Sequence, residues 1–140
     1  MRSSFDILAG QWSVLPALSL LLLALAASAA LPVEAAEQKH PDVIGVNAKA
    51  RGPNLFDFDV TVSSPYDSAQ RYADAFRAMG KDGEVFGERK LLHDHAGEQP
   101  FTRDLYGVVV PDGVRKVVIQ AKDRKYGYGG KSVEVDLPGR

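Results

Sequence analysis

Cysteine is absent from this sequence of 140 residues. A chain without cysteine has no disulfide bond, no thiol nucleophile and no thiolate ligand for a metal, and it lacks the residue at which a signal-linked lipid would be attached. A folded domain of this chain is therefore held together by core packing alone. About 100 residues suffice for this, because a domain of that size buries well over half of the surface that its unfolded chain exposes.

The sequence also has little tryptophan and almost no net charge. The one tryptophan is Trp12, and the formal net charge is −1. Arg2 is the one basic residue of the first 36. The acids there are Asp6 and Glu34, so the rest of the chain carries 16 basic and 16 acidic side chains. A neutral domain lacks the basic surface with which proteins grip nucleic acid, and we expect no nucleic-acid partner.

The longest apolar run, residues 14–31, contains no charged side chain. It follows Arg2 and ends in small residues, and these are the three parts of a secretory signal. The sequence predicts a signal peptide over residues 1–36, cleaved after Ala29 or Ala35, and a periplasmic or secreted protein. After cleavage no stable membrane insertion is expected. The alternative is an uncleaved membrane anchor, since the run is about the shortest that spans a bilayer.

The chain after the signal peptide divides into a flexible arm, residues 37–41, and one β-domain, residues 42–138. Short apolar stretches recur in this domain, separated by turns that contain glycine or proline. Most of the stretches alternate apolar with polar side chains, as half-buried strands do. The predicted strands are residues 43–50, 55–63, 72–79, 85–93, 101–110, 114–122 and 132–137.

The stretch 72–79 fits two structures. Its alanines and the spacing of Tyr72, Phe76 and Met79 suit a helix of two turns, whereas its alternation suits a strand. The turn at residues 81–83, Lys-Asp-Gly, is a hairpin signal, and a hairpin needs a strand on each side. We therefore predict a strand here. Seven strands in about 100 residues predict an all-β fold, a seven-stranded immunoglobulin/fibronectin-III-like β-sandwich.

Two resemblances accompany this prediction. Residues 114–123, the glycine-rich stretch after them and residues 132–137 resemble the final hairpin of fibronectin type III domains. The sequence also resembles a family of short exported bacterial proteins with no assigned function, over most of residues 42–137. The segments that carry this second resemblance are 58–62 (FDVTV), 72–75 (YADA), 92–95 (LHDH) and 98–103 (EQPFTR). It implies export and a single small domain, and it brings no activity with it.

Two histidines flank Asp94 and form the most distinctive motif of the chain. If they continue the fourth strand, His93 and His95 share one face and lie about 7 Å apart along it. Two imidazoles at that spacing can bind one zinc or copper ion when further nitrogen or oxygen ligands approach. Glu98 completes the predicted metal set, and the other candidates for a third ligand are Asp104, His40 and Asp123. The alternative is that both histidines are exposed at a polar strand end.

A second candidate site comes a few residues later in the sequence, at Phe101 and Arg103. Arg103 can bind a ligand carboxylate through two parallel hydrogen bonds, and Phe101 offers an apolar anchor beside it. We therefore predict that Phe101 and Arg103 bind a ligand. The alternative is that Glu98 or Asp104 pairs with Arg103 inside the protein and fixes the loop.

A third candidate is the pair Tyr126 and Tyr128, which stand among glycines between Lys125 and Lys131. Aromatic side chains in such a loop can stack on a sugar or a base, and loops of this composition are adaptable contact surfaces. We predict that both tyrosines bind a ligand. The alternative is a long hairpin loop whose glycines only supply turns.

No pairing of a nucleophile with a base is visible in the sequence, and Asp57 and Asp59 alternate onto a predicted solvent face. We therefore predict that the protein is not an enzyme and uses no cofactor. The expected function is an exported binding or interaction module for a protein or a small ligand. The alternative is a metal-binding protein that holds zinc or copper with His93 and His95.

Overall fold

The computed structural model of the protein describes residues 37–140. The predicted signal peptide, its two cleavage positions and the alternative of a membrane anchor lie outside these residues. Within them, no helix has the length and apolar character needed to cross a membrane.

The described residues form seven strands and no helix. The strands are β1 (Asp42–Gly52), β2 (Leu55–Ser63), β3 (Ala73–Met79), β4 (Val85–Lys90), β5 (Phe101–Val109), β6 (Lys116–Asp123) and β7 (Gly127–Asp136). One sheet has the order β1-β2-β5 and the other the order β4-β3-β6-β7, and all pairings are antiparallel. The predicted all-β sandwich of seven strands is confirmed, and so is the strand predicted over residues 72–79.

The hydrophobic core lies between the two sheets. Phe58, Val60 and Val62 of β2 alternate inward and are fully buried, and Val117 and Ile119 of β6 join the same cluster from the other sheet. Burying a side chain of this kind contributes about 1.5–3 kcal/mol relative to leaving it exposed. The stability that disulfides supply in many exported proteins comes here from this cluster.

Asp57 departs from the predicted alternation. We expected its carboxylate on a solvent face beside that of Asp59, but the residue is only 7% exposed. Its Oδ1 accepts a hydrogen bond from the N–H of Gly107 (2.9 Å), and its Oδ2 pairs with Nε of Arg51 (2.8 Å). The register of β2 against β5 shifts beside it, and Gly107 has a positive φ of 66°. The carboxylate thus holds a bulge in the sheet, which explains its burial.

The fourth strand is shorter than predicted. It ends at Lys90, so His93, Asp94 and His95 lie in the connection to β5. The premise that the histidines continue a strand was wrong. Because β5 belongs to the other sheet, the chain has to leave the β3–β4 ladder before it can cross to the start of β5. Residues 91–100 make that crossing and form the β4–β5 loop.

The last strand begins earlier than predicted. β7 starts at Gly127, so the glycines expected in a loop belong to a strand. A Cβ atom at Gly129 would lie only 2.5 Å from Nδ1 of His40, and one at Gly130 would collide with the carbonyl oxygen of Pro41. These glycines therefore let residues 40 and 41 approach the strand closely, and they do not lengthen the turn.

Four segments meet at the end of the sandwich where β1 begins: residues 37–41, 64–72, 91–100 and 124–126. Contacts between them confirm this placement, since the N–H of Arg124 donates to the carbonyl of Tyr72 (3.0 Å) and Nη2 of Arg71 donates to that of Gln38 (2.7 Å). Pro41, in the arm, is fully buried. The flexibility expected of the arm stays a prediction. The residues expected to bind ligands or metal lie mostly at this end of the sandwich.

Candidate functional site

The β4–β5 loop is fixed to the sandwich by Asp67. This residue lies in the connection between β2 and β3 and is 6% exposed. Its Oδ2 accepts a hydrogen bond from the backbone N–H of His95 (3.0 Å), and its Oδ1 accepts one from the N–H of Ala73 at the start of β3 (3.1 Å). One carboxylate thus joins the middle of the loop to the start of β3 in the second sheet.

Gln99 fixes the other half of the loop. Its Oε1 accepts a hydrogen bond from the N–H of Ser64 (2.8 Å). Its Nε2 donates to the hydroxyl of Ser64 (3.2 Å) and to the carbonyl of His95 (3.1 Å). The backbone at His95 is therefore held through both its N–H and its C=O, so the loop has a defined shape although it contains no regular secondary structure.

The imidazole of His95 lies between the loop and the core. It is 6% exposed and stacks on the ring of Phe101, with centroids 4.0 Å apart and planes at 12°. Burial lowers the pKa of His95, and the charges of Arg103 and His93 lower it further. Its Nδ1 is buried without a hydrogen-bond partner among residues 37–140. At neutral pH this imidazole is therefore uncharged and has one hydrogen-bonding atom unused.

A cavity of about 170 Å³ opens beside this imidazole, between the end of β4, the loop and β5. We call it the β4–β5 pocket. The residues that line it are Arg89, Lys90, Leu91, Leu92, His93, His95 and Arg103. Leu92 is 84% exposed, so an apolar side chain stands in solvent among basic ones. The lining contains no carboxylate.

Two acids outside the pocket fix its guanidinium groups. Glu98 accepts hydrogen bonds from both Nη atoms of Arg103 (3.1 and 2.9 Å), and this pairing lowers the pKa of Glu98 and raises that of Arg103. Nη1 of Arg89 donates to both the carboxylate (2.7 Å) and the carbonyl (2.8 Å) of Asp104. Within the described chain, Lys90 has no such acidic partner.

The predicted metal residues meet only in part. The rings of His93 and His95 have centroids 5.0 Å apart, so the structure brings them together although they are not on a strand. Both carboxylate oxygens of Glu98 face Arg103 instead. In the part of the chain that the structure describes, no three histidine, aspartate or glutamate side chains are grouped closely enough to hold a metal ion. Binding of metal by this set stays a prediction.

The predicted ligand-binding residues lie in three places. Arg103 lines the pocket, while Phe101 is buried beneath His95 and supports its ring. Tyr126 lies at the β6–β7 turn, where its ring is 4.9 Å from the guanidinium carbon of Arg71. Tyr128 lies on the outer face of the second sheet. Its ring is 3.7 Å from the guanidinium of Arg77, and its hydroxyl donates to Glu88. The two tyrosines do not line the pocket.

The sequence interpretation missed Arg89, Lys90 and Asp67. The first two were counted as part of a strand, although a basic pair just before the Leu91-Leu92-His93 segment was a signal of a charged site. Asp67 reaches the loop from 28 positions earlier in the chain. Only the topology shows that contact, so the residue spacing in the sequence did not reveal it.

A larger cavity, of about 420 Å³, lies at the opposite end of the sandwich, between the β3–β4 turn and the connection from β5 to β6. Its charged side chains have both signs, since Asp82 and Glu84 line it together with basic residues. Lys81 and Lys116, which also line it, are bound to Glu134 of β7. The lining thus combines charges of both signs, and its two lysines already have an acidic partner, so this cavity is the weaker candidate for a ligand despite its size.

Comparison with known proteins gives two curated relatives. The chain is 34% identical over 98 residues to a protein named "Putative lipoprotein" from Halomicrobium mukohataei; the match covers 70% of this chain and 48% of that protein. It is 37% identical over 76 residues to a protein of Halorubrum lacusprofundi that is named as a subunit of an A-type ATP synthase, and this match covers 54% of this chain and 33% of that protein. The chain thus spans about half the length of the first relative and a third of the length of the second. No family model matches it, and no solved structure matches it.

The relative named a lipoprotein fits an exported protein, either associated with a membrane or secreted. The 140 residues of this chain contain no cysteine that could carry a lipid. The coarse part of the sequence prediction, a small exported protein with a β-domain, therefore agrees with both the comparison and the fold.

Proposed function

We propose that this protein is an exported, non-catalytic binding domain that takes a small ligand in the β4–β5 pocket. The observation that carries the proposal is the contrast between the two sides of the β4–β5 loop. The side chains of Asp67 and Gln99 fix its backbone from beneath, whereas its outer side chains surround a cavity. A site that is formed before the ligand arrives loses little conformational entropy on binding, which favours affinity.

The pocket is large enough for a small molecule or for one group of a ligand, but not for a whole large molecule. Pockets for drug-sized ligands enclose roughly 300–1,000 Å³, and this one encloses about 170 Å³. It therefore accommodates one small molecule or the end of a larger one. Leu92, exposed at the pocket, offers an apolar contact to whatever extends outward.

The remaining parts of the proposal concern location and partners. Export to the periplasm or the medium agrees with the apolar run at residues 14–31 and with the relative named a lipoprotein. The even balance of charge in the rest of the chain supports a partner other than nucleic acid. We propose a small ligand in preference to a protein, because the concave site is small, and we propose that binding needs no cofactor.

Amide chemical shifts of the isotope-labelled exported protein test the proposal. The probes are sulfate, acetate, glucose and glycine betaine, each added to saturation or to about 50 mM, well above the Kd of even a weak millimolar complex. At least one probe is expected to shift the amides of residues 89–95 and 103 in a saturable way. Shifts confined to the cavity at the opposite end, around Phe86 and Val114, or no saturable shift with any probe, would contradict the proposal.

A second candidate function is metal binding by His93 and His95, with zinc or copper. The observation in its favour is the 5.0 Å separation of the two ring centroids. The basic side chains around the pocket work against it, because they repel a cation. Equimolar zinc should move both imidazole resonances in the wild type and should leave the His95 resonance unmoved in His93→Asn if this candidate is right. Unmoved imidazoles in the wild type would end it.

A further inference from the structure

Three permanently cationic side chains line the β4–β5 pocket, and the two histidines complete its polar surface. Two of the cations are already compensated, since Arg103 pairs with Glu98 and Arg89 with Asp104. Lys90 is the charge that no acid among residues 37–140 neutralises. A pocket with one uncompensated positive charge and no carboxylate in its lining attracts an anion.

The guanidinium groups keep hydrogen-bond donors free for such an anion. A guanidinium has five N–H donors. In Arg89 only Nη1 is bonded, to Asp104, so Nε and Nη2 have no partner within the described residues. In Arg103 both Nη atoms are bonded, while Nε is not. The acids hold both guanidinium planes in position and leave these N–H groups unpaired, as a pre-formed oxyanion site requires.

From these contacts we infer that the β4–β5 pocket binds the oxyanion group of a sulfate or phosphate, either as the free ion or as the end of an ester. The inference rests on the proposed function, since it names the ligand class of the same pocket. Lys90 supplies the compensating charge, Arg89 and Arg103 supply fixed N–H donors, and the cavity is large enough for one tetrahedral ion. Leu92 would contact the alkyl part of an ester.

Calorimetric titration of the exported protein with sulfate tests the inference. Sulfate is the probe because it stays a dianion over the range of about pH 5.5–7.5, whereas phosphate monoesters change their charge near pH 6. Sulfate is expected to bind at one site. Titrations with inorganic phosphate and with glycerol phosphate at about pH 7.5 distinguish a free ion from an ester as the ligand. Binding of the ester alone points to a larger ligand and binding of both to the free ion, and either result supports the inference.

Two lysine variants provide the comparison within the protein. Lys90→Gln is expected to weaken sulfate binding roughly fivefold or more, the effect of removing one charge at about 4 Å in a solvent-exposed site. Lys131→Gln changes the net charge equally at an exposed position on β7 that does not line the pocket, and it is expected to leave the affinity unchanged. Equal weakening in both variants would show only a general charge effect and would overturn the inference.

The outcomes separate the inference from the proposed function. If glucose, acetate or glycine betaine shifts the pocket residues and sulfate does not, the pocket binds a ligand but not an oxyanion. The inference then fails and the proposed function stands. If no probe binds at the pocket, both fail.

Discussion

Replacing Asp67 with alanine removes both acceptors that join the β4–β5 loop to the rest of the domain. The carboxylate accepts the N–H of His95 at 3.0 Å and that of Ala73 at 3.1 Å, and both bonds are buried. Alanine leaves these two donors without partners. Asp67→Asn keeps one acceptor oxygen and turns an N–H₂ group towards the other donor, so it removes one bond.

The magnitude follows from the cost of an unpaired buried donor, about 1–3 kcal/mol for each group. Asp67→Ala should therefore lower the free energy of unfolding by about 2–6 kcal/mol, and Asp67→Asn by about half as much. A domain of this size has a total stability of about 5–15 kcal/mol. The alanine variant is thus expected to be strongly destabilised, and its loop should open well before the sandwich unfolds.

Urea unfolding of the three proteins measures the loss, and hydrogen exchange at the His95 amide reports the loop itself. Asp94→Ala is the control in the same loop, because among the described residues the carboxylate of Asp94 accepts only the exposed N–H of Ala96 (3.1 Å); its effect should stay within about 0.5 kcal/mol. If Asp67→Ala is as stable as the wild type and the exchange of the His95 amide does not change, Asp67 does not fix the loop.

The remaining predictions concern the core, the arm and pH. Phe58→Ala should lower the free energy of unfolding in urea by about 3–5 kcal/mol, because the ring is fully buried and its loss leaves a cavity; a loss below about 1 kcal/mol would contradict the assigned core. Gly129→Ala should displace the ring of His40, seen as a shift of its NMR signals, whereas Gly97→Ala, with open space around its Cβ position, should not. Because the pKa of His95 is lowered in the folded protein, the unfolded chain binds the proton more readily, and stability should fall as the pH drops through about 6.5. His95→Gln should reduce this slope, and an unchanged slope would refute the assignment.

Much of the fold could be predicted because alternation along a strand is a local property. Residues 55–63 were predicted as a strand, and β2 has the same bounds, with Phe58, Val60 and Val62 directed inward. The errors arose where long-range contacts decide the structure. The glycines of β7 looked like a turn, but they admit His40 of the arm, which is far away in the sequence.

The site could be predicted only in part for the same reason. His93, His95 and Arg103 attracted attention through their chemistry and close spacing, and the structure places all three around one pocket. Their neighbour Lys90 is the last residue of β4 and was interpreted only as part of that strand, and Asp67 contacts the loop from the β2–β3 connection. Tyr126 and Tyr128 stand close in the sequence but lie on different surfaces, because one is in a turn and the other on a strand.

The central claim is that the β4–β5 pocket is the binding site of this domain and that it takes an oxyanion. The nitrogen resonances of the imidazoles during a sulfate titration near pH 6.5, the ordinary pKa of histidine, test it most directly. His93 and His95 both line the pocket, and His40 serves as the reference outside it. Saturable shifts are expected for the two pocket histidines, with no change at His40. Three imidazoles that respond alike, or not at all, would contradict it.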